Sequence, residues 1–167
     1  MKKLFSVVIL AVFCLTAAMA QNVTGSFKSL KDAGRVKMVV DFSKASIIGM
    51  TEEEFSKYEV DWEKDKPEIL SLFYTYANRR LGNSLSLGGN FDESRYMLTL
   101  IVRTVSAKGD YDCDLVLTEN GKEVARAEML RAYGGTFGTK LNLMKDGAKH
   151  TGRELGWFLF NQFYGRN

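Results

Sequence analysis

"DYDCDLVLTENGKEVARAEML", residues 110–130, predicts a β-hairpin and determines how the neighbouring segments must pack. Residues 119–121 (Glu-Asn-Gly) are a strong turn signal between two runs of strand-forming residues. A two-residue Asn-Gly loop would mix apolar and charged side chains on both faces of the hairpin. A three-residue loop, with Gly121 left-handed in a bulge, places Thr118 opposite Lys122 and leaves one face apolar. We therefore expect the three-residue loop.

In this register the two strands share an apolar face, which consists of Tyr111, Cys113, Leu115, Leu117, Ala125, Ala127 and Met129. On the other face, Asp112 and Asp114 meet Arg126 and Glu128. Alternate carboxylates attract calcium, but the run from Asp110 lacks the glycine and the glutamate that a calcium loop requires. We interpret it as a solvated sheet face with cross-strand ion pairs. Cys113 is expected to be a buried, inert thiol.

The segments before and after the hairpin supply the rest of the fold. Thr51 and Glu54 form a capping-box signature that predicts a short helix, and Pro67 predicts the start of a second helix that ends at Gly82. The remaining elements are strands at 35–42 and 95–107 and a last helix from about Lys145 to Phe163. This order predicts a single α+β domain over residues 35–167. Its sheet is expected to be four-stranded, mostly antiparallel and covered on one face by helices. The polar residues 21–34 are expected to form a loose, flexible arm.

The last helix carries two distinct patterns. Ala148, Gly152 and Gly156 fall four residues apart, and we expect this stripe to bring the helix backbone close to the sheet at Ala125 and Ala127. The aromatic residues of the helix span more than one of its faces, and either a second packing layer covers them or they form a contact for a partner. The candidate partner-binding residues on this helix are Trp157, Phe160 and Tyr164.

A glycine-rich run, "RAYGGTFGTKLNL" (residues 131–143), precedes this helix. It fits neither the phosphate loop of nucleotide hydrolases nor the dinucleotide fingerprint, and "LNLM" separates it from the expected helix start. We interpret it as a wide loop or bulge between the last strand and the helix. A backbone loop that touches a ligand is the alternative, and its candidate residues are Gly134, Gly135 and Phe137.

The first twenty residues predict a secretory signal peptide, with a basic start, an apolar run and cleavage after Ala20. Removal of residues 1–20 takes away two of the 23 basic residues, which leaves 21 against 20 acidic ones. This near balance gives no electrostatic case for nucleic acid as a partner. No later stretch is apolar enough for a transmembrane span, and Cys113 alone cannot form an intrachain disulfide. We expect a periplasmic or extracellular protein.

The chain lacks the usual sequence marks of an enzyme. His150, the only histidine, cannot build a zinc site alone, and no nucleophile elbow presents a serine. We therefore predict no cofactor, no metal and no catalytic residue. A small hydrolase that acts on envelope polymers through carboxylates assembled by the fold is the alternative.

The closing run "GGTFGTKLNLMKDGAKHTGRELGWFLF", residues 134–160, adds a resemblance. With the order of elements above and the Thr151-Gly152 pair, it resembles a loose group of small bacterial envelope proteins. The lipopolysaccharide-assembly lipoproteins and the amino-terminal domain of the Tol-system β-propeller protein share a similar β-α-β-β-β-α layout. The resemblance covers about residues 35–163 and implies a non-catalytic envelope module, with an envelope protein or polymer as the partner. It transfers no functional residue and names neither a ligand nor an oligomeric state.

Overall fold

The computed structural model describes residues 22–165. Within this range lie three α-helices, which are α1 (Glu52–Tyr58), α2 (Trp62–Leu81) and α3 (Lys140–Tyr164), and a 3-10 turn at Lys28–Asp32. The strands are β1 (Val23–Gly25), β2 (Gly34–Asp41), β3 (Ser46–Ile47), β4 (Leu85–Gly88), β5 (Tyr96–Val105), β6 (Tyr111–Glu119) and β7 (Lys122–Ala132). None of the described helices is long and apolar enough to span a membrane. The expected signal peptide lies outside the described residues.

The described strands form one mixed sheet in the order β1-β7-β6-β5-β2-β4, and β3 pairs with β5 beyond the end of β2. The neighbouring pairs β1–β7, β7–β6 and β6–β5 are antiparallel. Strand β2 is parallel to both β5 and β4, and β3 is parallel to β5. The predicted four-stranded, mostly antiparallel sheet is therefore wrong. Strands β1, β3 and β4 have only 3, 2 and 4 residues, which is too short for a hydrophobic alternation to reveal. The chain passes from β2 to β4 through helices, and such a crossover brings the second strand back parallel to the first.

The central hairpin has a different turn from the predicted one but reaches the predicted apolar face as far as Ala127. The side chain of Met129, which we had also predicted on this face, lies outside the described residues. Asn120 and Gly121 form a two-residue loop with positive φ angles of 49° and 81°, so that Glu119 pairs with Lys122. The predicted three-residue loop is wrong. A register shift next to the turn then aligns Leu117 with Ala125. This bulge supplies the extra residue that we had assigned to the turn.

A second register shift aligns Cys113 with Leu130, instead of with the predicted Ala127. The buried face is completed by Tyr111, Leu115, Leu117, Ala125, Ala127 and Ala132. On the opposite face, the aspartates form ion pairs with arginines other than the predicted Arg126. Asp112 pairs with Arg131 at 3.4 Å, and Asp114 pairs with Arg103 at 3.1 Å.

The predicted start of α1 is confirmed, whereas α2 and α3 each begin several residues before the predicted start. The capping box of α1 is present, since Thr51 Oγ1 accepts from the Glu54 amide and Glu54 accepts from the Thr51 amide. Helix α2 begins at Trp62, five residues before Pro67, and the Trp62 side chain is fully buried against Phe42 and Phe55. Burial of this indole thus extends the helix beyond the proline signal.

Helix α3 also begins earlier than expected, at Lys140 instead of about Lys145. Thr139 is its N-cap, and the Thr139 side chain accepts a hydrogen bond from the Asn142 amide at 3.3 Å. The "LNLM" segment is therefore helical, and the glycine-rich run leads directly into the helix.

The small-residue stripe of α3 approaches α2 and not the sheet, which corrects our prediction. A Cβ atom built on Gly152 would lie 2.6 Å from the carbonyl oxygen of Phe73, and one on Gly156 would lie 2.7 Å from that of Ala77. These glycines thus let the two helix backbones come into direct contact along what we call the helix seam. Both helices also contact the sheet, α3 at β6 and β7 and α2 at β4.

The expected loose arm is packed against the domain from Asn22 onwards. Strand β1 pairs with β7, and Phe27 and Leu30 are fully buried. The Phe27 ring makes an edge contact with Phe158 of α3 at a centroid distance of 5.2 Å. Two apolar anchors within a polar segment are enough to fix it, because burial of each large side chain contributes about 1.5–3 kcal/mol.

Candidate functional site

The predicted aromatic residues of α3 form a continuous row on its outer surface. Trp157 and Tyr164 are 42% and 45% exposed, and Phe160 lies partly buried between them. The Trp157 and Phe160 rings meet edge to face at 6.2 Å, and the Phe160 and Tyr164 rings lie 4.9 Å apart. The 3.6-residue helical period places positions 157, 160 and 164 on one face, so the sequence spacing was sufficient to predict the row.

Cations from other elements lie over both ends of this row. The guanidinium carbon of Arg80, on α2, is 3.0 Å from the centroid of the Trp157 ring. The ammonium of Lys31, in the 3-10 turn, is 4.7 Å from the centroid of the Tyr164 ring. Such contacts stabilise by about 0.5–2 kcal/mol, depending on exposure. They hold the aromatic rings in fixed positions on the surface.

A second cation–π contact crosses the helix seam one helical turn from the contact between Arg80 and Trp157. Arg153 of α3 lies 5.2 Å from the Tyr76 ring of α2, and Arg79 lies 4.4 Å from the same ring. Each helix thus offers an aromatic ring and an arginine four residues apart, Tyr76 and Arg80 on α2 and Arg153 and Trp157 on α3. Each arginine stacks on the ring of the other helix.

The glycines of the seam make this crossed arrangement possible. A Cβ on Gly152 would lie 3.0 Å from Tyr76 Cβ, and one on Gly156 would lie 2.7 Å from Arg80 Cβ. We call the resulting surface the helix-seam strip, and it consists of Lys31, Tyr76, Arg79, Arg80, Arg153, Trp157, Phe160 and Tyr164. Sequence reasoning missed its α2 residues and Arg153, although the Tyr-x₃-Arg and Arg-x₃-Trp spacings are visible in the sequence.

The arginines of the strip differ from those of the sheet in their partners. Arg95, Arg103, Arg126 and Arg131 lie on or beside the sheet, and each is 2.9–3.6 Å from a carboxylate. Within residues 22–165, Arg79, Arg80 and Arg153 make no ion pair and no side-chain hydrogen bond, and Arg35 is the other arginine of this kind. Arg79 and Arg80 also lie in the last turn of α2, where the helix dipole favours cations. The strip therefore presents positive charge that no described carboxylate neutralises.

A shallow cleft adjoins the strip at Trp157. It has a volume of about 350 Å³ and runs between α3 and β1. Its walls are formed by Val23, Glu154, Trp157, Phe158, Asn161 and Gln162. The carboxylate and the two amides offer both hydrogen-bond donors and acceptors next to the indole. Such a mixture of an aromatic wall and polar edges suits a hydroxyl-rich ligand.

The glycine-rich loop uses its glycines for packing. A Cβ on Gly134 would lie 1.8 Å from the Lys108 carbonyl oxygen, and one on Gly135 would lie 2.8 Å from a carboxylate oxygen of Asp146. The Gly134 amide donates to Asp110 at 2.8 Å, so it is not available to a phosphate. The geometry favours the interpretation as a packed connecting loop.

Two side chains of this loop segment nevertheless project into solvent. Tyr133 and Phe137 are 85% and 88% exposed. About 26 Å of helix separates the start of α3, which follows the loop, from Trp157. Phe137 therefore lies far from the aromatic row. The Tyr133 carbonyl oxygen, however, lies 2.6 Å from Nδ1 of His150, which is on the same face of α3 as Trp157 and about 10 Å before it along the helix.

The shifted carboxyl pKa values within residues 22–165 differ from the value that a glycosidase requires of its general acid. The carboxyls with a shifted pKa in the described range, which are Asp41, Glu53, Glu54, Asp110 and Glu123, all have it lowered. The general acid of a glycosidase instead needs a raised pKa. Burial raises the pKa of the Cys113 thiol far above its usual range, which is the opposite of an activated nucleophile. No group of three potential metal ligands occurs within residues 22–165.

Comparison with known proteins gives only a distant structural likeness. No family model and no curated protein matches the chain. Among solved structures, it is similar to the PelC dodecamer from Paraburkholderia phytofirmans, with a TM-score of 0.42 and 13% identity, over 81% of this chain and 97% of that one. A point variant of the same PelC dodecamer, in another crystal form, gives a TM-score of 0.41 and 12% identity, over 81% and 95% of the two chains. A likeness at this level carries no argument about function.

Proposed function

We propose that the chain is a non-catalytic binding or assembly module of the bacterial envelope, exported by residues 1–20, and that it contacts an envelope polymer through the helix-seam strip. The observation that carries this proposal is the aromatic row of α3, in which Trp157 and Tyr164 are exposed, Phe160 is partly buried between them, and a cation from another element contacts the ring at each end. Aromatic and arginine side chains in fixed positions are the residues that contribute most to protein recognition surfaces.

Two features support a binding role over a purely structural one. The arginines of the strip contact aromatic rings but make no ion pair within the described chain, so their N–H groups have no carboxylate partner there. An exposed apolar row also gives up the burial that would stabilise a purely structural helix by about 25 cal/mol per Å². A bound ligand would explain both features, because it would supply partners for the arginines and would cover the exposed aromatic rings.

The test compares two double variants, one in the aromatic row of α3 and one in the glycine-rich segment before this helix. The Trp157→Ala, Phe160→Ala variant removes the centre of the strip, and the Tyr133→Ala, Phe137→Ala variant removes two exposed rings of the glycine-rich segment. The purified proteins are sedimented with insoluble bacterial cell-wall polymer and run in native gels that contain soluble envelope polysaccharide. Circular dichroism melts confirm that both variants are folded.

We expect binding to be lost only in the Trp157→Ala, Phe160→Ala variant. Equal binding by both variants, or no binding of the unmodified protein to any of these polymers, would overturn the proposal. Loss only in the Tyr133→Ala, Phe137→Ala variant would move the contact to the glycine loop and contradict the assignment to the strip.

A further inference from the structure

We propose that the helix-seam strip binds an acidic polysaccharide, with its carboxylates held by Arg79, Arg80 and Arg153 and its sugar rings stacked on Trp157 and the adjoining aromatic side chains. This inference rests on the proposed function and names the ligand class of the same surface.

The first argument is the uncompensated charge of the strip. Arg79 and Arg153 lie on the same Tyr76 ring at 4.4 and 5.2 Å, so their guanidinium carbons are less than about 10 Å apart. This separation is close to the Debye length at physiological ionic strength, about 8 Å, so that the two charges still repel each other. A ligand that places carboxylates beside these two guanidinium groups adds attractive contacts and reduces this repulsion.

The local nature of the charge strengthens this argument. After residue 20 the chain carries 21 basic and 20 acidic residues, so it is almost neutral as a whole. The concentration of arginines without an ion pair along the seam of α2 and α3 is therefore a property of that surface and not of the composition. Charge complementarity selects an anionic ligand for it.

The second argument is the preorganisation of the guanidinium groups. An arginine stacked on an aromatic ring keeps its planar face against the ring and directs its N–H groups outward. These in-plane donors match the two oxygens of a carboxylate, which they bind in a bidentate manner. Because Trp157 and Tyr76 already restrict the arginine side chains, little rotamer entropy remains to be lost on binding.

The third argument is the shape of the surface. From Trp157 to Tyr164 the aromatic row extends for about 10 Å along α3, which suits a chain of linked sugars better than a single small anion. Sugar rings expose faces of C–H bonds that stack on aromatic rings. The cleft beside Trp157 adds the Glu154 carboxylate and the Asn161 and Gln162 amides, which can exchange hydrogen bonds with hydroxyl groups. Because Glu154 repels other carboxylates, the acidic groups of the polymer must face the arginines and its hydroxyl groups must face this cleft.

The experiment uses one polymer in two chemical forms. Polygalacturonate carries a carboxylate on each sugar, and its methyl ester has the same backbone with the carboxylates blocked. Calorimetric titration of both polymers is performed on the unmodified protein and on two triple variants. The first, Arg79→Gln, Arg80→Gln, Arg153→Gln, removes three charges from the strip. The control, Lys44→Gln, Lys64→Gln, Lys122→Gln, removes three charges from exposed lysines elsewhere.

We expect the unmodified protein and the lysine control to bind polygalacturonate with similar affinity, and the arginine variant to bind it at least tenfold more weakly. The methyl ester should bind at least tenfold more weakly to the unmodified protein. Equal affinity for the two polymers would overturn the inference, as would equal weakening by the two triple variants. No binding of polygalacturonate would also overturn it, including the case in which vesicles containing anionic phospholipid, or inorganic phosphate, bind instead.

The two proposals fail in different ways. If binding is independent of the carboxylates but is lost in the Trp157→Ala, Phe160→Ala variant, the strip binds neutral polymer and only the present inference is wrong. If the aromatic variant retains full binding to every polymer, the proposed function itself is wrong.

Discussion

Replacement of Gly152 by alanine tests the contact between the two long helices. The glycine lies on the face of α3 that meets α2, and its missing side chain is what allows the backbones to touch. An added Cβ would lie 2.6 Å from the Phe73 carbonyl oxygen, 3.0 Å from Tyr76 Cβ and 3.3 Å from the Ala77 amide nitrogen. Two of these three atoms belong to the backbone of α2, so no side-chain rotation relieves the contact.

Gly152→Ala changes the free energy of unfolding through three effects: helix propensity and methyl burial stabilise the variant, and the larger effect, the clash with α2, destabilises it. Alanine is preferred over glycine inside a helix by about 1 kcal/mol, and burial of one methyl group contributes about 0.8 kcal/mol. Ordinary contact begins near 3.4 Å, so a Cβ at 2.6 Å requires the helices to separate by the difference, about 0.8 Å. A gap of that size removes about a quarter to a half of the attraction of each atom pair across the seam.

Overpacking of this kind typically costs 1–3 kcal/mol, and more where the obstacle is rigid. Because the obstacle here is backbone, we expect a cost of about 3–4 kcal/mol, which leaves Gly152→Ala less stable than the unmodified protein by about 1–2 kcal/mol. For a domain of this size, such a loss lowers the melting temperature by roughly 3–8 °C.

The assay is urea unfolding followed by circular dichroism, with Gly89→Ala as the matched control. A Cβ on Gly89 would be 3.6 Å or more from its nearest neighbours, so the same substitution there should change stability by less than about 0.5 kcal/mol. The double variant with Gly156→Ala should be destabilised by less than the sum of the two single variants, because one separation of the helices accommodates both methyl groups. A Gly152→Ala protein as stable as the parent, or more stable, would refute the reasoning.

Three further predictions concern buried and titratable groups. The Tyr111 hydroxyl is fully buried without a described hydrogen-bond partner, so Tyr111→Phe should leave stability unchanged or raise it by about 1 kcal/mol in urea unfolding; a loss above 1 kcal/mol would reveal a bond to that hydroxyl. The pKa of Asp110 is lowered from 3.8, first by the Ser106 hydroxyl, so its contribution is present above pH 3.8 and is lost as the pH falls through the folded-state value. The stability difference between the parent and Asp110→Asn should accordingly shrink below pH 3.8, and a constant difference would contradict this assignment. Burial raises the pKa of the Cys113 thiol, so Ellman's reagent at pH 8 should react only in urea; rapid labelling of the folded protein would disprove the burial.

The sequence was sufficient for features that depend on local patterns. The capping box at Thr51 and Glu54 followed from residue spacing, and strand β2 followed from its β-branched residues. The apolar face of the hairpin was also predictable, because burial selects the register. The bulge beside Leu117 was not predictable, because a two-residue turn with a bulge and a three-residue turn place the same side chains on the apolar face next to the turn.

Features that depend on distant segments could not be predicted in this way. Strands of two to four residues carry too few positions for an alternation, so β1, β3 and β4 were missed. The glycines at 152 and 156 predicted a close approach, but nothing in α3 itself distinguishes a helix from a sheet as the neighbour. The strip depends on that choice, because Tyr76 and Arg80 meet Arg153 and Trp157 only when α2 lies across the seam.

The crossed stacking at the seam has a consequence for how this protein tolerates change. The arginines and aromatic rings of the strip lie on two separate helices, and the close approach of these helices at Gly152 and Gly156 keeps the side chains aligned. A substitution that widens this gap by less than an ångström would misplace guanidinium groups relative to rings while the domain remains folded. If the strip binds the proposed polymer, substitution of these glycines should weaken polymer binding even in variants that remain folded at the assay temperature.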